Sequence, residues 1–435
     1  MHNDTTDNNF IDKEIERCKK RGIHPGLEVM EDLLAALGHP EENLRIVHIA
    51  GTNGKGSTLA FLASILEEAG FRAGRYVSPA VTCYEEHFII NGSFIKRDRL
   101  AAYYEVIKNV TDLFEKEGKL LPTLFEVETA IAFLYFRDEK VDYVLLETGM
   151  GGLQDATNVV KSPVLTMISS VSYDHMDWLG HTLEEIAAQK AGIIKPRVPL
   201  ILGENPGEVL FVIEEKAKAC HSPCIRVSKD SYEILEEDEE GTGFRWQGIS
   251  CRIRLPGRHQ VSNAVTALYA ASYLLKEKDF SKGMALEEIL CRGLERTRWP
   301  GRLELIGRDP LIYLDGAHNP EGAMRLAEFL QKHFTNRRII YIIGVLKDKE
   351  YEKMLSFMLP LAWKVYVFRP DNDRGLDAGI LAETVRSMGR EAQVCGNVRE
   401  ALCRAGKEAD RSDVLVVWGS LSFMKEIVGH ENRES

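Results

Sequence analysis

Short apolar runs alternate with helical runs along most of this chain. The apolar runs of the first 300 residues include RIVHIA at 45–50, VDYVLLE at 141–147, PVLTMISS at 163–170 and VPLILG at 198–203. They are apolar throughout rather than at every second position, which is typical of strands buried on both faces of a sheet. The pattern therefore predicts an α/β fold with a mostly parallel sheet covered by helices.

The pattern changes between about residues 224 and 256, where an acidic turn, EEDEEGTG, separates strand-like segments. We predict an antiparallel excursion at the sheet edge there, followed by a helix from His259 to Leu275. The segment LERTRWPGRLEL then combines charged residues with a proline and a glycine, which suits a linker. We therefore predict domains at 1–297 and 298–435.

The second domain repeats the alternation on a smaller scale. Each of five short apolar runs precedes a helical pattern, and the runs are LIYLD, RIIYIIGVL, WKVYVF, AQVCG and DVLVVWG. Strands that alternate with helices in this way indicate βαβ units. The predicted fold is thus an ATPase-type α/β domain with a mostly parallel sheet, followed by a smaller Rossmann-like α/β domain.

Charge and cysteine content narrow the class of protein. The net charge of -11 argues against nucleic acid or an anionic membrane as a partner, because both are polyanions. No apolar run reaches the roughly 18 residues of a membrane span. The eight cysteines are scattered, and only Cys220 and Cys224 are close, without a second pair for a zinc site. We therefore expect reduced thiols and a cytoplasmic protein.

The sequence HIAGTNGKGSTLAFLASIL at 48–66 places a glycine-rich loop between a strand and a helix. Backbone N–H groups at such a helix start bind phosphate, and Lys55 adds a charge for the β/γ end. The loop is shorter than the common G-x-x-x-x-G-K-[ST] form, and a glycine separates Lys55 from Ser57. The loop predicts nucleotide binding but leaves open whether phosphate goes to water, an alcohol or a carboxylate.

Two further residues follow predicted strands at the same sheet edge. Glu147 ends VDYVLLE, and His175 lies in SYDHMDWLG just past the next strand. Because open α/β sheets place their sites at the carboxyl ends of the strands, both side chains are plausible magnesium ligands beside a triphosphate. Lys190, on an alanine-rich helical run, would by pattern alone be a surface lysine.

The order of the motifs from about residue 23 to Phe423 resembles the folylpolyglutamate synthase and dihydrofolate synthase family of the Mur ligases. The motifs are GTNGKGS, SP at Ser78, NG at Asn91, FE at Phe125, ETGMGG..DATN, DHMDWLG, QKAGIIKP, GRHQVSNA, WPGRLE, DGAHNPEGA and WGSLSFM. The resemblance implies that ATP phosphorylates a folate or dihydropteroate carboxylate. The amine of L-glutamate then displaces phosphate from the acyl phosphate, and an amide forms.

The resemblance also implies roles for individual residues. ATP would contact Gly54, Lys55, Gly56, Ser57, Asn263, Arg302 and Asp315, and lie sandwiched between the domains. Two Mg²⁺ ions would be held, one by Ser78 and Glu147, the other by His175 and a carbamylated Lys190. Lys55, Lys190 and His318 would be catalytic. The pterin side would comprise Thr123, Leu124, Phe125, Glu126, Gln154, Asp155 and Ala156.

Some of these assignments depend on the resemblance alone. Loop chemistry by itself would nominate Ser57 rather than Ser78 as the hydroxyl ligand. Lys55, Arg302 and His318 are expected to screen the approach of a carboxylate to a triphosphate.

This chain departs from the family pattern at three positions, where Ala80 replaces histidine, His87 replaces arginine and Leu153 replaces arginine. All three lie near the implied pterin or acyl-phosphate side. We therefore expect turnover of both dihydropteroate and tetrahydrofolate, at unequal rates.

Three other functions remain to be weighed. A cell-wall Mur ligase is disfavoured because only about 45 residues precede the phosphate loop, which is short for a separate UDP-binding domain. A P-loop ATPase switch would not require the motifs of the second domain. A non-catalytic paralogue is disfavoured because Lys55, Glu147, His175 and Lys190 are all present. We expect a monomer.

Overall fold

The computed structural model describes residues 3–22, 24–276 and 285–428. Residue 23, where the family resemblance starts, and the outer ends of the two predicted domains lie outside these ranges. Among the helices of the described ranges, none has both the length and the apolar character needed to cross a membrane.

An eight-stranded sheet organises the first part of the chain. Its strands are β1 Ile46–Ala50, β2 Ala73–Tyr76, β3 Phe88–Ile90, β4 Ser93–Phe94, β5 Tyr143–Glu147, β6 Leu165–Ile168, β7 Leu200–Leu202 and β8 Cys224–Arg226. They lie in the order β4-β3-β2-β5-β1-β6-β7-β8. In this spatial order, the last six strands, β2, β5, β1, β6, β7 and β8, are parallel to one another. The central strands β1, β5 and β6 are buried along their whole length, which confirms the mostly parallel, covered sheet.

Helices cover both faces of this sheet. They are α1 Asn3–Lys19, α2 Glu28–Ala36, α3 Lys55–Glu68, α4 Arg97–Glu117, α5 Leu124–Asp138, α6 Met176–Leu179, α7 Leu183–Ala191, α8 Gly207–Ala219, α9 Arg258–Leu275 and α10 Leu286–Arg296. Val47 and Ile49 of β1 pack with α3, α9 and α10, whereas Ile46 packs with α1, α2, α4 and α5. Alternate side chains of one strand thus enter two cores, which is why its sequence is apolar apart from the buried His48.

The region of 224–256 differs from its prediction. The strand β8 continues the main sheet in parallel, and the antiparallel strands form a separate sheet of β9 Tyr232–Asp238, β10 Gly241–Trp246 and β11 Ile249–Ile253. Trp246 packs edge-on against Tyr269 of α9, with ring centroids 5.3 Å apart. The small sheet is therefore a cover for α9 and α10 rather than an extension of the main sheet edge.

The prediction that all cysteines are reduced is wrong for one pair. Cys251 of β11 and Cys291 of α10 form a disulfide, with Cα atoms 5.1 Å apart. The two residues are 40 positions apart in sequence, so their spacing gave no signal. The packing of the small sheet against α10 brings them together.

The second α/β unit contains a six-stranded sheet. Its strands are β12 Glu304–Arg308, β13 Leu311–Asp315, β14 Ile339–Ile343, β15 Ala362–Val367, β16 Ala392–Val394 and β17 Val414–Trp418, in the order β12-β13-β17-β14-β15-β16. All pairs are parallel except β12 with β13. Its helices are α11 Pro320–Phe334, α12 Tyr351–Met358, α13 Ala378–Ser387, α14 Val398–Glu408 and α15 Lys425–Val428.

The small sheet also joins the two units. Glu237 of β9 is 5% exposed and pairs with Lys332 of α11, as well as with Arg258 at 2.9 Å. Arg308 of β12 pairs with Glu240 at 3.0 Å. These contacts lie beside the cleft that separates the main sheet from the second sheet.

Candidate active site

The junction between the β1–α3 loop and the start of α3 is fixed by close packing at two glycines. Gly54 has a φ of 85°, a left-handed conformation that favours glycine, and a Cβ there would lie 2.4 Å from Asn263 Oδ1. A Cβ on Gly56 would lie 2.7 Å from the Trp299 ring. The loop is therefore held at the N-terminus of α3, where backbone N–H groups can bind phosphate.

Two lysines converge on one carbonyl oxygen of this loop. Lys55 Nζ lies 3.1 Å from Gly51 O, and Lys190 Nζ of α7 lies 2.9 Å from the same atom. Lys190 is 3% exposed, and its burial, together with the charge of Lys55, lowers its pKa to about 7. The structure thus contradicts the pattern-based interpretation of Lys190 as a surface lysine.

Glu147 lies beside these lysines at the carboxyl end of β5. Its Oε1 is 3.7 Å from Lys55 Nζ. Burial raises the pKa of Glu147, and the charges of Lys55 and Arg302 and a hydrogen bond from the Ser78 backbone oppose this shift. The Ser78 backbone is therefore adjacent to Glu147, and a magnesium site of these two residues stays a prediction.

His175 lies at the same sheet edge, in the loop after β6. It has a φ of 50°, and burial lowers its pKa, as do the charges of Lys55 and Lys190. In the described chain, the one set of three histidine or acidic side chains close enough to share an ion lies elsewhere. It consists of His39, Glu41 and Glu42, at the amino end of β1 and hence at the opposite edge of the sheet.

The second sheet contributes Asp315 and His318 from the end of β13. Asp315 Oδ2 accepts a hydrogen bond from Leu303 N at 2.9 Å, and Oδ1 accepts one from Ala317 N at 2.8 Å. His318 Nδ1 lies 2.8 Å from Gly316 O. Burial lowers the pKa of His318 to about 4, so its ring is neutral at pH 7. It can donate or accept a hydrogen bond, but it does not supply the positive charge expected from the sequence.

Most of the predicted ATP-binding residues surround one small cavity between the two units. It has a volume of about 60 Å³, and its lining includes Gly54, Ser57, Asn263, Arg302, Asp315 and His318. A larger cavity of about 760 Å³ shares Asn53, Gly54 and Asn263 with it. Basic side chains from both units line the larger cavity, namely Lys229, Arg258, Arg325 and Lys332. The volume is in the range of small-molecule sites.

Asn53 ties the phosphate loop directly to the second unit. Asn319 Nδ2 donates to Asn53 Oδ1 at 3.0 Å, and Asn53 Nδ2 donates to Glu321 Oε2 at 2.6 Å. Neither pairing was predicted, because both cross more than 260 residues of sequence. Asn53 lies in the motif GTNGKGS, and Asn319 and Glu321 lie in the motif DGAHNPEGA. Membership of these two motifs was the sequence evidence that pointed to the three residues.

On the implied pterin side, several of the predicted binding residues already contact other groups of the protein. Thr123 and Glu126 form a capping box at the start of α5, with Thr123 Oγ1 2.8 Å from Glu126 Oε2. Leu124 begins α5 and is partly buried. The Phe125 ring is packed so closely over Gly149 that a Cβ there would lie 2.6 Å from it. Phe125 thus packs on the segment after β5, whereas Thr123 and Glu126 fix the start of α5.

The second implied pterin segment is also held by hydrogen bonds inside the protein. Asp155 Oδ2 accepts from Met150 N at 2.8 Å, and Asp155 Oδ1 accepts from Thr157 N at 3.0 Å. Ala156 is buried, whereas Gln154 is exposed. Of these residues, Gln154 is therefore the one whose side chain is free to reach a ligand from solvent.

The three departures from the family pattern have different environments. His87 is buried, with Nδ1 2.7 Å from Val77 O. Leu153 is 46% exposed, and Ala80 is partly exposed. Leu153 and Ala80 are therefore accessible to a ligand, whereas His87 has a partner inside the protein.

Comparisons with known proteins agree with this arrangement. Residues 49–271 match the Mur ligase middle domain, and residues 301–421 match the Mur ligase glutamate ligase domain. A dihydrofolate synthase/folylpolyglutamate synthase of Bacillus subtilis is 40% identical over 356 residues, which are 80% of this chain and 81% of that protein.

Solved structures extend the similarity to almost the whole chain. The folylpolyglutamate synthase of Mycobacterium tuberculosis, complexed with ADP and AMPPCP, superposes with a TM-score of 0.86 at 28% identity and covers 97% of both chains. E. coli FolC in complex with DHPP and ADP superposes with a TM-score of 0.82 at 28% identity, covering 94% of this chain and 93% of that one. The chain therefore belongs to the folylpolyglutamate synthase/dihydrofolate synthase family of ATP-dependent Mur ligases.

Proposed function

We propose that this protein joins L-glutamate to the carboxylate of a pteroyl compound, and that it accepts both dihydropteroate and a reduced folate. The observation that carries the proposal is the convergence of Lys55, Lys190 and Glu147 on the phosphate loop, across a cleft from Asp315 and His318. Open α/β sheets bind ligands at the carboxyl ends of their strands, and closure of two units around a ligand can complete a catalytic site. Action as a cytoplasmic monomer remains part of the prediction.

The reaction proceeds in two displacements. A carboxylate oxygen of the acceptor attacks the γ-phosphorus of ATP, and ADP leaves. The glutamate nitrogen then attacks the carbonyl carbon of the acyl phosphate, loses a proton, and displaces inorganic phosphate as the amide forms. Lys55 offsets the negative charge that both approaching groups carry, and the cleft holds them in line.

Chemistry of the donor atoms supports the assignment of the magnesium ligands. Glu147 provides a buried carboxylate with Ser78 adjacent, and oxygen donors are those that Mg²⁺ prefers. His175 and Lys190 would hold a second ion, with Lys190 as a carbamate. When bound, the two ions would screen the phosphates and polarise the P–O bonds.

The environment of Lys190 supports carbamylation. Because its pKa is lowered to about 7, the Lys190 amine loses its proton far more readily than an ordinary lysine. The neutral nitrogen can attack the carbon of CO₂, and loss of a proton leaves a carbamate anion. This anion would pair with Lys55, whose charge at present opposes that of the Lys190 ammonium.

Arg302 is expected to act on ATP from the segment that joins the two units. It lines the small cavity beside Asp315, so Arg302→Ala and Asp315→Ala should each raise the KM for ATP, by about 10-fold. Arg411→Ala is the control, because Arg411 is an exposed arginine of the second unit that does not line this cavity. Because Asp315 also accepts two backbone hydrogen bonds, the thermal stability of its variant must be recorded alongside. An unchanged ATP dependence in both variants would contradict the interdomain ATP site.

The acceptor is tested by a panel of carboxylates. ATP turnover is measured with dihydropteroate, tetrahydrofolate and its one-carbon derivatives, each with and without L-glutamate. We expect glutamate-dependent turnover of both dihydropteroate and tetrahydrofolate, at unequal rates, because the accessible Leu153 and Ala80 leave fewer polar groups to hold the acceptor. Turnover of one of the two alone would contradict the dual acceptor, and ligation to none of these compounds would contradict the proposed substrate class.

A further inference from the structure

A cation–π contact joins the main sheet to the linker between the two units. Arg75 lies on the face of β2 that also carries Ala73, and Ala73 packs in the core formed with α3, α9 and α10. The guanidinium Cζ of Arg75 lies 5.0 Å from the centre of the Trp299 ring. Because Trp299 is 8% exposed, the contact is largely shielded from water.

The guanidinium depends on this ring for part of its stabilisation. Arg75 is half-buried, and its Nε atom is buried without a hydrogen-bond partner among the residues that the structure describes. Burial lowers the pKa of Arg75, and the charges of Glu67, Glu86 and Glu147 oppose this shift. A tryptophan ring face attracts a cation, most strongly where water is excluded. The stack therefore favours one arrangement of Arg75 and Trp299.

Trp299 also contacts the start of the phosphate-binding helix. A Cβ on Gly56 would lie 2.7 Å from Trp299 Cζ2, so the edge of the ring packs against the backbone of the first turn of α3. Two elements of the first unit, β2 through Arg75 and α3 through Gly56, thus hold the same ring.

Two residues further along, the chain is held by the second unit instead. Gly316 N donates a hydrogen bond to Gly301 O at 2.8 Å. Arg302 follows directly and lines the small cavity together with Asp315. The chain therefore passes from one unit to the other between Trp299 and Gly301, and the ring fixes the point at which it leaves the first unit.

We propose that Arg75 is a positioning residue, which holds Trp299 against the start of α3 and thereby fixes the point from which the linker carries Arg302 towards ATP. Without the stack, the linker would start from several positions, and ATP binding would have to order it. The proposal deepens the proposed function and rests on it, because the placement of Arg302 affects ligation only if Arg302 acts on ATP.

The first test uses hydrogen–deuterium exchange without nucleotide, so that it does not depend on turnover. Arg75→Met removes the charge but keeps an unbranched side chain. We expect it to increase exchange at residues 297–303 by at least about 5-fold. Arg45→Met is the matched control, because Arg45 stacks over the Tyr143 ring at 4.3 Å and precedes β1, at the amino edge of the same sheet. It should leave that exchange unchanged.

The second test measures AMPPCP binding with Mg²⁺ by calorimetry, followed by steady-state kinetics. Arg75→Met should raise the Kd for AMPPCP and the KM for ATP about 5-fold, with kcat and the KM for glutamate changed less than about twofold. Arg75→Lys should recover most of the loss, because an ammonium also binds a ring face. In a Trp299→Leu background, Arg75→Met should add less than about twofold, because both changes remove the same contact.

Two results would overturn the proposal. One is unchanged exchange at residues 297–303 in Arg75→Met, which would mean that the stack does not hold the linker. The other is an equally large effect of Arg75→Met on AMPPCP binding in the Trp299→Leu background, which would mean that Arg75 acts through another group. If Trp299→Leu does not fold, the exchange result decides alone. A wild-type protein that binds AMPPCP but ligates no pteroyl acceptor would instead contradict the proposed function, and both measurements would still decide the role of Arg75.

Discussion

Replacement of Lys55 by alanine is expected to lower the rate of ATP-dependent ligation about 1,000-fold while leaving the fold intact. The ammonium lies at the start of α3, 3.1 Å from Gly51 O and 3.7 Å from Glu147 Oε1. This position directs its charge at the phosphate end of the cleft. Its removal deletes no apolar contact of the core, so the variant should unfold at close to the wild-type temperature.

The measurement is single-turnover formation of ADP and amide, with thermal unfolding recorded on the same samples. Lys161→Ala is the control, because Lys161 is an exposed lysine of the same unit and its loss should not change the rate. Near wild-type ligation by Lys55→Ala would defeat the assignment of the phosphate loop.

Lys190→Ala is expected to lose activity by at least about 100-fold, and Lys190→Arg should be equally inactive. A guanidinium keeps its positive charge and cannot be carbamylated, whereas the Lys190 amine, with its pKa of about 7, can react with CO₂. If the carboxylate of the carbamate is the working group, acetate or formate should restore part of the activity of Lys190→Ala by occupying the vacated position.

Two measurements detect the carbamate independently of activity. Mass spectrometry would show the added mass of CO₂, and a crystal structure would show density for the added atoms on Lys190 Nζ. Glu184→Ala on the same helix is a matched control, because Glu184 is exposed and should be silent. Full activity of Lys190→Arg, or a bare Lys190 ammonium in an ATP-bound crystal, would contradict the carbamate.

The sequence predicted the central strands well because burial on both faces leaves a strong signal. The run RIVHIA contains β1, and DVLVVWG contains β17, and each strand is buried along its whole length. The short strand β2, with sequence AGRY, was missed because it has a glycine and an arginine and is only four residues long. Its arginine is nevertheless half-buried, and Arg75 stacks over the Trp299 ring at 5.0 Å.

Site residues that follow strands were predicted, whereas pairings across the cleft were not. Glu147 and Asp315 end strands, and a parallel sheet places such positions at one edge. The contacts of Asn53 with Glu321 and of Asp174 with Lys349 depend on how two sheets face each other. A single sequence carries no periodic signal for such a relation.

The sequence pattern also could not predict which polar side chains are buried. Lys190 lies on an alanine-rich helix, where the pattern alone predicts a surface lysine, yet it is 3% exposed. His318 was expected to add positive charge, but burial keeps its ring neutral by lowering its pKa to about 4. Residues distant in sequence bury both side chains, and the loss of contact with water disfavours their charged forms.

The central claim, that phosphate passes to a carboxylate, is tested most directly by oxygen transfer. The enzyme is given ATP, L-glutamate and tetrahydrofolate labelled with ¹⁸O in its γ-carboxylate, and the inorganic phosphate is analysed by mass spectrometry. The acyl-phosphate route predicts one ¹⁸O atom in each phosphate released, because the attacking carboxylate oxygen leaves with phosphorus. Unlabelled phosphate, formed at the rate of amide synthesis, would contradict it.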